Sequence, residues 1–131
     1  MTKNEPRYPD IEVYLRGVDT AAIQAWVESL SDTPVSWQQK GRTTRGTATL
    51  KGQSVPVHLI ERATGSWHCI WFESDRTPWP TDLDCGRDVF RALGGVVRCS
   101  SGSWSEQPED EGWMELTAQG ERPVKWDNPD K

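Results

Sequence analysis

Near its N-terminus the chain has a short segment of alternating apolar and polar residues, followed by a segment in which apolar residues recur with the period of a helix. Residues 11–16 place Ile, Val and Leu at every second position, which predicts a strand with one buried face. Asp19 or Thr20 can cap a following helix through a side-chain oxygen. In that helix, apolar side chains from Ile23 to Leu30 recur every third or fourth position, so one stripe must pack against the rest of the protein.

Three short strands are predicted next. They cover residues 35–39, 43–50 and 55–61, and the polar segment 51–54 is typical of a hairpin turn. Pro56 has no N–H to donate to a ladder, which indicates a sheet edge or a bulge near that position. The first half therefore has the order β-α-β-β-β.

The second half repeats this order. Residues 67–73 carry bulky apolar side chains at neighbouring positions, which predicts a central strand covered on both faces. Thr81 and Asp84 form a helix start signal, and Gly94-Gly95 predicts its end. A strand at 96–99 and a hairpin formed by 113–118 and 122–126 complete the second β-α-β-β-β series.

The sequence thus predicts an α+β fold in which two βαβββ repeats form a curved, mostly antiparallel sheet with two helices. The repeats cover residues 10–62 and 66–127 of a single domain, 1–131, with loose termini at 1–9 and 127–131. The alternative is a ferredoxin-like sheet with added hairpins, because it has nearly the same order of elements.

The net charge and the cysteine content indicate which partners and which cellular compartment to expect. The 131 residues carry a formal charge of −5, which argues against partners with anionic surfaces such as nucleic acids and membranes. The N-terminus has no apolar run typical of a signal peptide, and no stretch approaches the length of a membrane span. Three cysteines without C-x-x-C spacing indicate a reducing compartment and no zinc site. We therefore expect a cytoplasmic protein.

The segment from His68 to Glu73, followed by a helix that ends in Arg91-Ala92-Leu93-Gly94-Gly95-Val96, resembles the second module of the vicinal oxygen chelate superfamily. That family includes glyoxalase I and the bleomycin-resistance proteins. The resemblance implies two βαβββ modules that curl into a cup around a ligand.

The same resemblance bears on metal binding. The family's metal, when present, is held by His and Glu from matching strands, and here only His68 and Glu61 fit such places. The first strand offers Ile11 and Glu12, and the last has neither a carboxylate nor an imidazole. A catalytic metal normally needs at least three protein ligands, so we predict no metal and no cofactor.

Eight tryptophans are the most distinctive feature of the composition. Most are expected in the core, because tryptophan is usually well buried. The first hypothesis is a non-catalytic binding domain whose cup takes a small apolar or aromatic ligand. The predicted ligand-binding side chains are Trp26, Trp37, Trp67, Trp71, His58 and His68.

The second hypothesis is a protein-partner module, such as an acidic inhibitor or antitoxin-type protein that neutralises a basic partner. Its predicted contact surface combines Trp79, Trp104 and Trp113 with the acidic loop 106–111. The third is a metal-dependent lyase or dioxygenase of the resembled family. A homodimer is compatible with all three, because open sheet edges tend to be paired or covered.

Two smaller clusters leave alternatives open. His58 and His68 lie on neighbouring predicted strands, where either a carboxylate-assisted acid–base pair or two ordinary strand histidines can result. Lys40, Arg42, Arg45 and Lys51 form a basic patch that either grips a phosphate or an acidic partner or is simply a solvated hairpin.

Overall fold

The computed structural model describes residues 7–100 and 112–125. In chain order the elements are β1 (Ile11–Arg16), α1 (Thr20–Leu30), β2 (Gln38–Lys40), β3 (Thr43–Leu50), β4 (Gln53–Thr64), β5 (Trp67–Phe72), α2 (Asp82–Leu93), β6 (Val96–Ser100), β7 (Trp113–Thr117) and β8 (Gly120–Val124). The strands form one eight-stranded sheet in the order β2-β3-β4-β5-β1-β6-β7-β8, with every neighbouring pair antiparallel. The sheet is not closed. The predicted α+β class is confirmed.

One face of the sheet forms the core because apolar residues alternate along its strands. Ile11, Val13 and Leu15 of β1 are fully buried. In the ladders Val13 lies opposite Ile70 of β5, and Leu15 lies opposite Val97 of β6. Both helices pack on this face, which we call the helix side.

An aromatic cluster forms the centre of the helix side. The rings of Trp26 on α1 and Trp79 are stacked with centroids 5.9 Å apart, and Trp79 also lies 5.0 Å from Phe72 of β5. The indole Nε1–H of Trp79 donates to Asp88 Oδ2 on α2 at 2.8 Å. The cluster therefore joins both helices to the sheet.

Along the chain the elements follow the predicted β-α-β-β-β order twice. In the sheet, however, the two series are arranged differently. The strands after α1 run from the edge inward, β2 to β4, whereas those after α2 run outward from β6 to the β8 edge. Strand β1 pairs with β5 and β6, both from the second series, so the two halves form one continuous sheet. The duplication stays a prediction.

Two strand predictions differ from the structure. Strand β2 begins at Gln38 because residues 35–37 cross over Gly46, where a Cβ would meet Val35 Cγ1 at 2.9 Å. Pro56 lies within the inner strand β4, opposite Thr47, beyond the last β4–β5 pair of Val57 with Phe72. Its carbonyl accepts the Glu73 N–H at 2.9 Å, but proline has no N–H to return the bond, so the β4–β5 pairing ends at Val57 with Phe72.

The helix termini agree only in part with the prediction. Thr81 caps α2 as expected, since its Oγ1 accepts from the Asp84 N–H at 3.2 Å. Asp19 makes no side-chain cap on α1, and its carbonyl oxygen accepts from the Ala22 N–H at 3.0 Å instead. In the described ranges, neither helix is long and apolar enough to cross a bilayer.

The N-terminal residues that the structure describes are not loose. The Tyr8 N–H donates to the Pro80 carbonyl at 2.8 Å. The Arg7 guanidinium donates to the carbonyls of Asp75 and Thr77. Residues 7 and 8 therefore hold the loop that leads into α2.

Asp82 joins the start of α2 to β1. Its Oδ1 accepts the Glu12 backbone N–H at 3.0 Å, and the side chain is buried. Burial raises the pKa of this carboxyl from 3.8 to about 6, against the opposing effect of the hydrogen bonds from Glu12 and Ser100. Between about pH 4 and pH 6 the folded protein therefore binds more protons than the unfolded chain, so the contribution of Asp82 to stability falls as pH rises.

The Asp82→Asn substitution tests this assignment. Asparagine keeps an oxygen acceptor for the Glu12 N–H but does not titrate. We expect the variant to match the wild type near pH 4 and to exceed its free energy of unfolding by on the order of 2 kcal/mol at pH 7. Urea denaturation at a series of pH values measures the difference, and a difference that does not change with pH would contradict the assignment.

Candidate functional site: the open face of the sheet

The two helices leave the opposite face of the sheet uncovered by secondary structure in the part of the chain that is described. We call this surface the open face. Such a second face is expected because successive side chains of a strand point to opposite sides of the sheet. The neighbours of each apolar side chain that contacts the helices therefore point to the open face. Its principal side chains are Glu12, Tyr14, Arg16, Arg45, His58, Ile60, Trp67, Cys69, Trp71, Arg98, Trp113, Glu115 and Arg122.

Trp71 and His58 form a stacked pair near the middle of the open face. Their ring centroids are 4.5 Å apart at an interplanar angle of 28°. The Trp71 Nε1–H donates to Asp10 Oδ2 at 2.8 Å, and His58 Nε2 lies 2.8 Å from Glu73 Oε1. Each ring is thus fixed by a carboxylate, while the Trp71 side chain is only half-buried.

Trp67 carries two guanidinium groups over its ring. The Cζ atoms of Arg16 and Arg98 lie 4.7 Å and 4.8 Å from its centroid, distances at which cation–π attraction is substantial. Trp67 itself is only 6% exposed. Trp67 therefore contacts two guanidinium groups and exposes little aromatic surface.

Glu115 links two strands through two arginines. Its Oε2 accepts from Arg98 Nε and Nη2 at 3.2 and 3.0 Å, and its Oε1 accepts from Arg122 Nε and Nη2 at 3.2 and 3.1 Å. Burial alone would raise the pKa of this carboxyl, but the hydrogen bonds from both arginines hold it below its ordinary value. Glu115 is therefore ionised at neutral pH.

Glu12 organises the region between β1 and β5. Its Oε2 accepts from the Tyr14 hydroxyl at 3.1 Å and from the Cys69 thiol at 3.7 Å. Burial and the neighbouring Glu12 charge raise the pKa of Cys69 far above its ordinary value, and burial together with Cys69 and Glu12 does the same for Tyr14. Both groups are therefore protonated at neutral pH. The half-buried Tyr14 ring also packs edge-on against Trp113, with centroids 6.0 Å apart.

The thiols give a direct prediction. Cys69, Cys85 and Cys99 are free and buried, and burial raises the pKa of all three, that of Cys99 to about 12. Since the thiolate is the reactive form, we expect the native protein to leave a thiol-specific chromogenic reagent unreacted and the denatured protein to react with all three groups. Rapid reaction of any one thiol in the native protein would contradict the burial seen here.

The structure divides the predicted ligand-binding residues between the two faces. Trp67, Trp71 and His58 lie on the open face. Trp26 is in the aromatic cluster on the helix side, and half-buried Trp37 packs against the core there, with its Nε1–H donating to Glu28 Oε2 at 2.7 Å. The sheet separates the two groups, so these four tryptophans do not line a common cup.

The predicted partner surface is also divided. Trp79 is 5% exposed and belongs to the aromatic cluster, so it is not a surface residue. Trp104 and the acidic loop 106–111 lie outside the described residues. Trp113 lies half-buried on the open face beside Tyr14.

His68 and Glu61 do not form a metal site with a third ligand. His68 lies opposite Leu15, on the helix-side face of β5, and its Nδ1 accepts the Arg62 N–H at 2.9 Å. His58 points to the other face, so the two imidazoles cannot converge. In residues 7–100 and 112–125, no group of three or more His, Cys, Asp or Glu side chains could hold a metal ion.

Sequence reasoning missed Tyr14, Arg16, Arg98 and Glu115 as site residues. The sequence did indicate that Tyr14 and Arg16 point away from the core, because both occupy the polar positions of the alternating segment 11–16. The pattern indicates which side chains avoid the core, but not that those of β1, β6 and β7 become neighbours. That information comes from the strand order.

The open face combines aromatic rings, arginines and paired carboxylates on seven adjacent strands. Comparisons of the chain with protein-family models, with curated proteins and with solved structures find no match.

Proposed function

We propose that this protein is a non-catalytic binding domain that docks a protein partner on the open face. The observation that carries the proposal is the position of three half-buried rings, Tyr14, Trp71 and Trp113, on the face that the helices leave uncovered. The water-facing side of an antiparallel sheet is ordinarily polar. Tyrosine and tryptophan are instead enriched at protein interfaces and among the residues that contribute most to binding.

The rings are held in place before a partner binds. Trp71 donates to Asp10 and stacks on His58, and the Tyr14 hydroxyl donates to Glu12. Side chains that are already ordered lose less conformational entropy on association. This favours a preformed contact surface.

The distribution of the rings favours a macromolecule over a small ligand. Trp71 and Trp113 are on β5 and β7, with β1 and β6 between them. Three strand spacings correspond to roughly 14 Å, which is wider than a single aromatic ligand can bridge. A surface of this width suits a protein partner.

The titratable groups of the face favour binding over covalent catalysis. Cys69 is 1% exposed and, like Tyr14, is protonated at neutral pH. The carboxylates of Glu12, Glu73 and Glu115 already accept hydrogen bonds from neighbouring side chains. These groups therefore make contacts within the surface that stabilise its structure.

A matched pair of tryptophan substitutions tests the proposal. Trp71 and Trp37 are both half-buried and both donate to a carboxylate, at 2.8 and 2.7 Å, but they lie on opposite faces. In quantitative capture from extracts of the cells that make the protein, we expect Trp71→Ala to weaken retention of the bound partner about 30-fold, corresponding to roughly 2 kcal/mol. Trp37→Ala should retain the partner. Equal losses in two folded variants, or loss only with Trp37→Ala, would contradict the proposal.

A further inference from the structure

We propose that the partner presents an acidic surface to the open face, as a protein segment in which carboxylates alternate with apolar side chains. This inference rests on the proposed docking function and adds the chemistry of the partner. It reverses the expectation from net charge, under which an acidic protein meets a basic partner.

The net charge of the whole chain differs from that of the residues that the structure describes. Residues 7–100 and 112–125 contain thirteen acidic and thirteen basic side chains, so their formal charges cancel. The excess behind the total of −5 comes from the sequence of residues 101–111, with four acidic side chains and no basic one, and of 126–131. The sign of the open face must therefore be judged from its own side chains.

The carboxylates of the open face are already engaged. Glu12 accepts from Tyr14 and Cys69, Glu73 pairs with His58, and Glu115 accepts from two guanidinium groups. Asp10, at the margin, accepts from Trp71. A basic partner would have to compete with these contacts.

Several basic side chains of the same face have no such engagement. Within the described ranges, no carboxylate lies within ion-pair distance of Arg16, Arg45 or Lys40, and all three side chains are exposed. Arg16 is held over Trp67. Arg45 lies in the same cross-strand row as His58 and Trp71 and lines an open cavity of about 390 Å³ with Gln38 and Thr47.

Among the described residues, the groups of the face that remain for a partner are therefore the N–H donors of Arg16 and Arg45 and the half-buried Trp71 ring. A guanidinium donates two parallel N–H groups to a carboxylate in a planar geometry, which gives orientation as well as attraction. Apolar side chains between such carboxylates would contact the half-buried ring of Trp71. Charge complementarity thus selects an acidic and partly apolar segment.

Two synthetic peptides of equal length, one alternating Glu with Phe and one alternating Lys with Phe, test the inference on the full chain. The indole N–H resonances of the tryptophans report the face that each peptide contacts. We expect the Glu–Phe peptide to shift the Trp71 and Trp113 signals saturably and to leave those of Trp26 and Trp79 in place. The Arg16→Gln, Arg45→Gln double variant should weaken binding several-fold, up to about tenfold, and added salt should weaken it further. The matched control, Arg87→Gln with Arg91→Gln on α2, should not.

The outcomes separate this inference from the proposed function. Preferential binding of the Lys–Phe peptide at the same indoles would overturn the acidic partner while leaving the docking face intact. If neither peptide shifts these signals, the inference is overturned, and the Trp71/Trp37 capture experiment still decides the proposed function. Self-association that the double variant abolishes would identify a second copy as the occupant and would also overturn the inference.

Discussion

Replacing Trp79 with alanine is expected to lower the free energy of unfolding by about 3–5 kcal/mol, the usual cost of removing a buried aromatic side chain. Trp79 is 5% exposed, and it contacts Trp26, Phe72 and, through its Nε1–H, Asp88. The substitution leaves a cavity where both helices meet the sheet. Since domains are stable by only about 5–15 kcal/mol in total, a large fraction of the stability is at risk.

The Trp79→Phe substitution separates the contribution of the buried aromatic volume from that of the hydrogen bond to Asp88. It keeps most of the aromatic volume but removes the hydrogen bond to Asp88, so we expect a smaller loss of about 1–2 kcal/mol. Chemical denaturation of the wild type and both variants measures these differences. If Trp79→Ala unfolds at the same denaturant concentration as the wild type, Trp79 is not the centre of the core.

Replacing Glu115 with alanine is expected to cost about 2–3 kcal/mol. Glu115 is 5% exposed, and its loss leaves the partly buried Arg98 guanidinium without the carboxylate that accepts two of its N–H groups. Breaking a fully buried ion pair costs about 3–5 kcal/mol, and the exposure of Arg122 on the other side places this case below that range.

Glu121→Ala is the matched control. Glu121 also accepts two N–H groups from one guanidinium, that of Arg87, but both side chains are well exposed. Exposed pairs contribute about 0–1 kcal/mol, so this variant should remain close to the wild type. Equal losses in the two variants would show that burial does not strengthen the Glu115 contacts.

The contribution of Glu115 to the free energy of unfolding increases as pH rises, whereas that of Asp82 decreases. Because the folded-state pKa of Glu115 is lowered, its stabilising effect is present above the ordinary value of 4.5 and is lost as pH falls through the folded-state value. The destabilisation by Glu115→Ala should therefore shrink in acid. A destabilisation that is constant from neutral pH to pH 3 would contradict this account.

Most of the helices and strands could be predicted from local patterns in the sequence. Alternation in residues 11–16 gave β1, the apolar stripe from Ile23 to Leu30 gave α1, and the bulky segment beginning at Trp67 gave a central strand. These features depend on neighbours in the chain. They can be predicted because periodicity and capping are local properties.

The candidate site could be predicted only in part, because it depends on which strands become neighbours. Trp26 lies in an amphipathic helix and Trp71 in a strand with apolar side chains on both faces, and the sequence does not show that Trp26 packs under the sheet while Trp71 lies above it. The Arg16–Trp67–Arg98 cluster joins three strands from distant parts of the chain. Trp79 has no periodic context between two prolines, so its burial was not evident from the sequence.

The central claim is that the open face, and not the helix side, meets the partner. The most direct test places a photoactivatable cross-linking amino acid at Thr47, an exposed open-face position on β3, or at Ala92, an exposed position on α2, in the cells that make the protein. We expect irradiation to give a discrete, higher-mass adduct from position 47 and none from position 92. An adduct from position 92 alone, or equal adducts from both, would contradict the claim.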